Sequence, residues 1–491
     1  MTTKKQQFLA ALLLTSALIC ASCGQNDAAA SDTVSVDTEA QTTAETLSPL
    51  DQTVAALPEA DFGGYEFTFM DRGSDHTTWY TYDIFAESEN GDAINDAVFQ
   101  RNRILEELYN IKIGEIGVIS PATDIKPLIM AGDNTVDVFT DGLSDLKGLT
   151  IGNMLYDFND ISEVKLDQPW WDQQMRTELS IAGKNYFATG DISIMDNEGT
   201  WCILFNKKMV ADYDLGDPYA LVNEGTWTID KMYEMAKAVA KDVNGDGKMT
   251  VDDQFGYLTE SYNIYALWVG GNNKIIDKDD ADLPISSMNS ERSVSTYDKV
   301  LELHFDDAVS AYPGTAALPG FEEQWACFME GRGLFIYGAM GLISDFRESD
   351  TDFGILPSPK LDAAQENYCN TFSCYNMTAY AIPATASDVS RIGTVLESMA
   401  QISQHLLTPA YIDVSLKGKF IRDSESEDMI ELILATRSYD LGSIFQWGTS
   451  FSIFGNATKS RVGTFASQVE KCEKSLNSAI QKYVDQLNAA E

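Results

Sequence analysis

Tyr186-Phe-Ala-Thr-Gly-Asp-Ile-Ser193 and Gly199-Thr-Trp-Cys-Ile-Leu-Phe-Asn-Lys-Lys208 are the two most informative segments of the sequence. Each contains an apolar, strand-like run, and the polar segment 195–198 separates the two runs. Gly190 permits backbone angles that other residues avoid, and Asp191 places a carboxylate at the same point. We therefore predict that the chain crosses here between two lobes, where ligand clefts form.

Strands and helices alternate around this crossing. Residues 62–70 alternate between apolar and polar side chains, as in a strand, and residues 92–111 have apolar side chains at helical spacing. Further strands are predicted at 136–140 and 334–337. Residues 352–360 contain a strand pattern ended by two prolines, which predicts a second crossing. This order of elements predicts an α/β fold.

The N-terminus carries an export signal. Two lysines precede an apolar run at residues 8–19, and Cys20-Ala-Ser-Cys23-Gly follows. Such a pattern is typical of a signal peptide, and the small residues before Cys23 resemble a bacterial lipobox. We predict a lipoprotein signal peptide at 1–22, a lipidated Cys23, and a disordered tether at 23–60. The alternative is ordinary secretion with cleavage after Ala21 or Ser22.

The composition argues against nucleic acid as a partner and leaves the pairing of the cysteines open. The 491-residue chain has a net charge of −41, which repels phosphate backbones, so nucleic acid is not an expected partner. Cys20 and Cys23 belong to the export signal, which leaves an odd number of the seven cysteines. Cys369 and Cys374 could form a local disulfide, and buried free thiols are the alternative.

Residues 242–253 match a calcium-binding loop that follows a helix. Gly247 provides the sharp turn, and oxygen atoms recur at the spacing that Ca²⁺ requires. The predicted ligands are Asp242, Asn244, Asp246, the Lys248 carbonyl, Thr250 and Asp253. We predict a structural Ca²⁺ site; the alternative is an Asn-Gly-Asp-Gly turn without a metal.

An ordered set of motifs resembles the carbohydrate-type extracellular solute-binding proteins of ABC importers, which are related to maltose-binding protein. The motifs are the lipobox, Phe205-Asn206-Lys207, Thr226-Trp-Thr-Ile-Asp230, Phe328-Met-Glu-Gly-Arg-Gly-Leu-Phe-Ile-Tyr-Gly338 and Phe353-Gly-Ile-Leu-Pro357. The resemblance implies a periplasmic-binding-protein-like fold of two α/β lobes with a hinge and an interlobe cleft. It implies an N-terminal lobe of residues 61–188 and 360–418, and a C-terminal lobe of residues 189–359 and 419–491.

The resemblance also implies a function. It predicts a monomer on the outer face of the bacterial cell membrane that captures a carbohydrate and delivers it to ABC permease subunits. We expect the carbohydrate to be an oligosaccharide. Family members often have a Trp where this chain has Met340, which leaves Tyr337 or another aromatic residue to form a stacking platform.

Sugar sites combine aromatic rings with carboxylate, amide and Arg groups. Trp170, Trp171 and Asp191 are the preferred candidates because they lie in loop or crossing segments. The other predicted ligand-binding residues are Trp79, Tyr80, Asp172, Trp201, Trp268, Tyr337 and Trp447; Asp345 is a further candidate carboxylate.

The alternative function is a secreted carbohydrate-active enzyme that uses paired carboxylates. No spacing in the sequence identifies an acid and base pair, and no metalloprotease, serine hydrolase or phosphate-loop motif occurs. We therefore predict no catalytic residues. A dockerin-like module would need a second copy of the calcium loop, and none follows the first.

Overall fold

A computed structural model describes residues 47–75, 79–346, 349–420, 423–457 and 464–489, except for the side chains of 345, 415 and 417–420. The predicted signal peptide and the lipidated Cys23 lie outside the described residues, as does the side chain of Asp345. In the described part, no helix is both long enough and apolar enough to cross a membrane.

Helices make up much of the chain. They are α1 Pro49–Ala56, α2 Ala93–Tyr109, α3 Pro121–Ala131, α4 Leu143–Leu146, α5 Gln173–Glu178, α6 Met195–Glu198, α7 Lys207–Asp212, α8 Pro218–Asn223, α9 Ile229–Val239, α10 Asn263–Gly270, α11 Glu291–His304, α12 Phe321–Met329, α13 Leu342–Asp345, α14 Val389–Ser403, α15 Leu407–Pro409, α16 Ser424–Ala435, α17 Leu441–Phe445, α18 Ser452–Ala457 and α19 Phe465–Asn488. Short 3₁₀ helices cover Lys147–Leu149, Phe158–Asp160 and Trp447–Thr449, and a π-helix covers Ala410–Phe420.

The strands are β1 Tyr65–Arg72, β2 Ile111–Val118, β3 Val138–Gly142, β4 Trp201–Asn206, β5 Phe255–Leu258, β6 Ile276–Lys278, β7 Pro284–Ser286, β8 Ser310–Ala311, β9 Gly333–Ala339, β10 Phe353–Leu356 and β11 Thr378–Ala381. They form a four-stranded sheet, a five-stranded sheet and a two-stranded hairpin of β6 and β7.

The first sheet has the order β11-β3-β1-β2. β1 is parallel to both β2 and β3, whereas β11 is antiparallel to β3. On one face, Phe67, Phe69 and Ile113 pack in a core with residues of α2 and α14. This face explains the helical spacing of α2, whose Asp92 caps its N-terminus by accepting from the amides of Ile94 and Asn95.

The second sheet has the order β10-β4-β9-β5-β8. β4 runs antiparallel to β9 and β10, and every residue of β4 is buried, as expected for a central strand. Helix α9 packs on β5, and Thr228 caps its N-terminus by accepting from the Lys231 amide. The mixed α/β architecture in two lobes matches the predicted fold class.

Two sequence predictions need correction. The segment predicted as a disordered tether ends earlier than residue 60, because α1 buries Val54 and Leu57 in the core of the first sheet. The second predicted crossing contains β10, which pairs with β4 inside the second sheet, so the chain returns to the first sheet only after Leu356. Of the two alternatives left open for Cys369 and Cys374, the structure shows the second, because both are buried free thiols. The residue boundaries of the two lobes stay a prediction.

Candidate functional site

The first sheet brings the ends of four strands to one edge. β1, β2 and β3 end at this edge, and β11 begins there because it runs in the opposite direction. In open α/β sheets, ligands bind outside the carboxyl ends of the strands. The candidate site is therefore built from the residues that follow β1 and β3 and precede β11.

Arg72, the last residue of β1, is the centre of this edge. Its Nε donates to Asp141 Oδ1 at 2.6 Å, its Nη2 to Asp145 Oδ2 at 3.0 Å, and its Nη1 to the carbonyl of Tyr375 at 2.7 Å. Asp141 is buried, whereas the side chain of Asp145 is 47% exposed. Arg72 thus fixes Asp145 as a solvent-facing carboxylate with a defined orientation.

Exposed aromatic side chains occur in the two segments that contact Arg72. Trp79 is 56% exposed, Tyr80 is 41% exposed and Tyr375 is 44% exposed. The backbone of the Trp79–Tyr80 segment follows β1, since the Thr81 amide donates to the Arg72 carbonyl. Rings beside a carboxylate provide both an apolar platform and a polar acceptor, the combination that sugar rings require.

A strained residue of the C-terminal part contacts the same aromatic group. Gln446 donates through Nε2 to the hydroxyl of Tyr375 at 2.9 Å. Gln446 has a φ of +52°, a left-handed conformation that is unfavourable for its side chain. The fold therefore holds the side-chain amide of Gln446 against the hydroxyl of Tyr375.

The second sheet contributes another aromatic group. Trp201, at the start of β4, stacks on Tyr262 with 4.9 Å between ring centroids and meets Tyr337 edge to face at 5.3 Å. The Tyr262 hydroxyl donates to the carbonyl of Phe372 in the segment before β11. The indole N–H of Trp201 is buried and has no hydrogen-bond partner among the described residues. Trp201 and Tyr337 are thus placed together but are mostly buried.

Gly190, at the predicted crossing, is a point of close backbone approach. Gly190 has a φ of +141°, and a Cβ atom there would lie 2.4 Å from the carbonyl oxygen of Trp170. The Asp191 amide donates to the same carbonyl, so Asp191 lies beside Trp170. Its carboxylate accepts from Gln404 at 3.0 Å and from Thr408 at 2.7 Å, which ties the crossing to the end of α14 and to α15. Burial raises the pKa of Asp191.

Trp170 and Trp171 both donate to Glu397 of α14. The distances from their indole nitrogens are 3.1 Å and 2.9 Å. Trp171 is 2% exposed and belongs to the core of the first sheet. The prediction of Trp171 as a ligand platform is wrong, because its ring and its N–H are both occupied by the protein. Trp170 is half-buried beside it.

Asp172 belongs to a buried ionic network. Arg437 donates through Nη2 to Asp172 and to Asp196 Oδ2, and through Nη1 to Thr200 at 3.0 Å. The hydroxyl of Tyr439 also donates to Asp172, at 2.8 Å. Burial raises the pKa of Asp196 to about 7 despite the attraction of Arg437. This network joins the Gly190 crossing to the segment after α16, so Asp172 has a structural position.

Two further predicted residues are core residues. Trp268 is fully buried, and its indole N–H donates to the carbonyl of Ser293. Trp447 is 8% exposed, stacks on Phe445 and packs against Tyr483 of α19. Their prediction as ligand residues is wrong, because a tryptophan in a sequence does not show how deeply it is buried.

The predicted calcium loop has an ordered backbone. Asp242 accepts from the amides of Gly245 and Gly247, and both glycines have positive φ angles. Asp253 is buried and accepts from the amides of Val243 and Thr250. Burial raises the pKa of Asp253, but these hydrogen bonds outweigh that effect and lower it. The oxygen donors suit Ca²⁺, although in the described residues no group of three His, Cys, Asp or Glu side chains is close enough to hold a metal.

No local sequence pattern identifies Arg72, Asp145, Tyr375 or Gln446 as site residues. Arg72 and Tyr375 are 303 positions apart in the chain, and only the pairing of β11 with β3 brings them together. The available signal was the position of Arg72 at the end of the first predicted strand, where ligand-contacting residues are common in α/β sheets.

Solved structures share the fold of this chain. An ABC substrate-binding protein of Listeria monocytogenes in complex with cycloalternan is 13% identical, covers 85% of this chain and 99% of its own, and has a TM-score of 0.53. A cyclo/maltodextrin-binding protein complexed with maltotetraose is 14% identical, with coverages of 86% and 96% and a TM-score of 0.54. The chain has the fold of the maltose-binding proteins.

The same fold occurs in the maltose/maltodextrin-binding domain of Bdellovibrio bacteriovorus bound to maltotriose. That domain is 12% identical, with coverages of 85% and 99% and a TM-score of 0.52. No protein-family model and no curated protein sequence matches the chain at a significant level. At these identities the maltose-binding-protein fold is shared, and the ligand has to be argued from the residues of this chain.

Proposed function

We propose that this protein is a lipid-anchored solute-binding protein that captures a carbohydrate, an oligosaccharide, between its two lobes and delivers it to ABC permease subunits. The observation that most directly supports the proposal is the carboxylate of Asp145, which Arg72 orients. The two segments that contact Arg72 carry the exposed rings of Trp79, Tyr80 and Tyr375. The maltose-binding-protein fold supports it, because two lobes can close over a ligand at this edge by hinge motion.

The location follows from the N-terminal sequence. A signal peptide at 1–22 and a lipidated Cys23 would hold the folded body at the outer face of the bacterial cell membrane, next to the permease. The protein acts as a monomer in this proposal and carries out no reaction on the sugar.

Ligand capture is tested by the melting temperature of the purified protein with a panel of oligosaccharides. A ligand at a hundred times its dissociation constant stabilises a protein by about 2.7 kcal/mol, which is a measurable shift. Trp79→Ala and Tyr375→Ala should each weaken binding by at least about tenfold, or about 1.4 kcal/mol. Phe321→Ala is the matched control, because the ring of Phe321 is 51% exposed and lies on α12, which packs against β9 of the second sheet.

One outcome would reject this function, and another would reject the site assigned to it. Release of shortened sugars during the incubation would favour the carbohydrate-active enzyme instead. Binding that is lost equally in the Phe321→Ala control would show that the rings of Trp79 and Tyr375 have no particular role.

We also propose that the loop 242–253 binds a structural Ca²⁺. Asp242, Asn244, Asp246, Thr250 and Asp253 would supply side-chain oxygens and Lys248 its carbonyl. The left-handed glycines and the amide contacts of Asp242 support the proposal. A chelator should lower the melting temperature of the protein and of Asp252→Asn, whose altered carboxylate is exposed and is not a predicted ligand. It should have no effect on Asp246→Asn; an unchanged wild-type melting temperature rejects the site.

A further inference from the structure

A cavity of about 530 Å³ lies beside β8, the outer strand of the second sheet. Gly247 and Met249 of the loop 242–253 line one part of it, and residues of the segment 304–317 line the rest. Its volume falls within the range of about 300–1,000 Å³ that small-molecule sites occupy. Because Gly247 and Asp307 in its lining are exposed, the cavity is open to the solvent.

His304, the last residue of α11, lines this cavity with a buried imidazole. The residue is 6% exposed, and its Nδ1 lies 3.2 Å from the hydroxyl of Thr259. No hydrogen bond from the described residues reaches the other ring nitrogen, Nε2. Burial lowers the pKa of His304 to about 4, so the imidazole is uncharged at neutral pH. A buried polar side chain with an unused nitrogen, on the wall of an open cavity, indicates a place for a hydrogen-bonding ligand.

Aromatic rings flank this imidazole. The ring of Phe305 meets that of His304 edge to face with 5.0 Å between centroids, and the ring of Tyr312 meets it at 5.6 Å. Both residues also line the cavity. In the described chain, the hydroxyl of Tyr312 and the carboxylate of Asp307 have no hydrogen-bond partner. The cavity therefore combines ring surfaces with an imidazole, a phenol and a carboxylate that are available to a ligand.

The lining narrows the chemical class of the ligand. No lysine or arginine is among the described residues that line the cavity, so an anion would meet no opposite charge there. A metal ion is also unsuitable, because the described part of the chain holds no group of three His, Cys, Asp or Glu side chains close enough to bind one. A sugar ring has an apolar face that packs on aromatic rings and hydroxyls that donate and accept hydrogen bonds.

We propose that this cavity binds a single sugar ring and is a second carbohydrate site, separate from the edge of the first sheet that carries Arg72. Tyr312 and Asp307 bond the sugar hydroxyls at the opening, and His304 bonds the ring at the buried end. All lining residues lie between positions 247 and 317, so the site does not depend on capture between the two lobes. The loop 242–253 then forms a wall of a ligand site.

The experiment is saturation-transfer difference NMR with the methyl glycosides of glucose, galactose and mannose as probes. It is performed on Trp79→Ala, in which the edge that carries Arg72 is weakened. We expect at least one glycoside to bind, and the addition of Tyr312→Ala or Asp307→Ala to weaken its binding at least about fivefold. Asp298→Ala is the matched control, because Asp298 is an exposed carboxylate on α11 that does not line the cavity.

The outcomes separate this site from the proposed function. If no glycoside binds, or if binding is equal with and without Tyr312→Ala and Asp307→Ala, the cavity site is overturned. Oligosaccharide capture is judged independently, by the melting-temperature shift that Trp79→Ala reduces. A shift that survives Trp79→Ala and is lost in Tyr312→Ala supports the cavity site and rejects capture at the edge that carries Arg72.

Discussion

Removal of Arg437 tests whether the buried ionic network holds the crossing segments together. The guanidinium is 6% exposed, and the two carboxylates that it pairs with, on Asp172 and Asp196, are 6% and 3% exposed. Arg437→Met keeps much of the side-chain length and removes the charge. Breaking one partner of a buried pair costs about 3–5 kcal/mol, because the remaining charge is buried without compensation.

The assay is urea unfolding followed by tryptophan fluorescence, with the free energy compared at a common denaturant slope. Arg437→Lys should lose less, about 1–3 kcal/mol, because it keeps the charge and loses the forked donors. Arg103→Met is the matched control. Arg103 is 58% exposed and meets Glu107 at 4.0 Å, and exposed pairs contribute at most about 1 kcal/mol. If Arg437→Met stays within about 1 kcal/mol of the wild type, the network does not hold the crossing segments together.

Three other predictions follow from buried or strained groups. Burial raises the pKa of Asp71 to about 8, so the contribution of its protonated carboxyl group to stability is fully present below the pKa of the unfolded chain and is lost as the pH rises to about 8. In urea melts, Asp71→Asn should lose less stability than the wild type over that rise in pH. Parallel curves for the two proteins would contradict this. Gly190→Ala should lower the melting temperature markedly, because the new Cβ would meet the Trp170 carbonyl. Gly148→Ala is the control and should change the melting temperature little, because the space at its Cβ is open. Similar melting temperatures for the two variants would count against the close approach at Gly190. The cysteines of the folded body are all buried, so a thiol reagent should label them only after unfolding, and rapid labelling of the native protein would be inconsistent with this burial.

The sequence predicts local structure better than it predicts the candidate site. Thr228 is recognisable as an N-cap because its hydroxyl contacts an amide three residues away. The tryptophans behave differently: Trp79 is exposed and Trp268 is fully buried, and nothing local distinguishes the two. Depth depends on which elements pack together, and that is set by contacts between residues far apart in the chain.

The role of Arg72 also depends on residues that are far apart in the chain. Its role depends on Asp145 and Tyr375, which reach it through two separate strand pairings. Periodicity identifies β1, β3 and β11 as strands at most; it does not give their order in the sheet. The unusual backbone conformation at Gly190 was predictable, because glycine permits angles that other residues avoid; the approach of Trp170 was not.

The position of β11 sets the order in which the protein can fold. All strands of the five-stranded sheet lie between Trp201 and Leu356, whereas the four-stranded sheet needs β11, which begins only at Thr378. During synthesis or export, the C-terminal sheet can therefore pair its strands while the N-terminal sheet still lacks its edge. Pairing across a long stretch of chain is slow, because its loop must close before the contacts form. Refolding should show the C-terminal sheet protected first against hydrogen exchange, and the edge that carries Arg72 completed last.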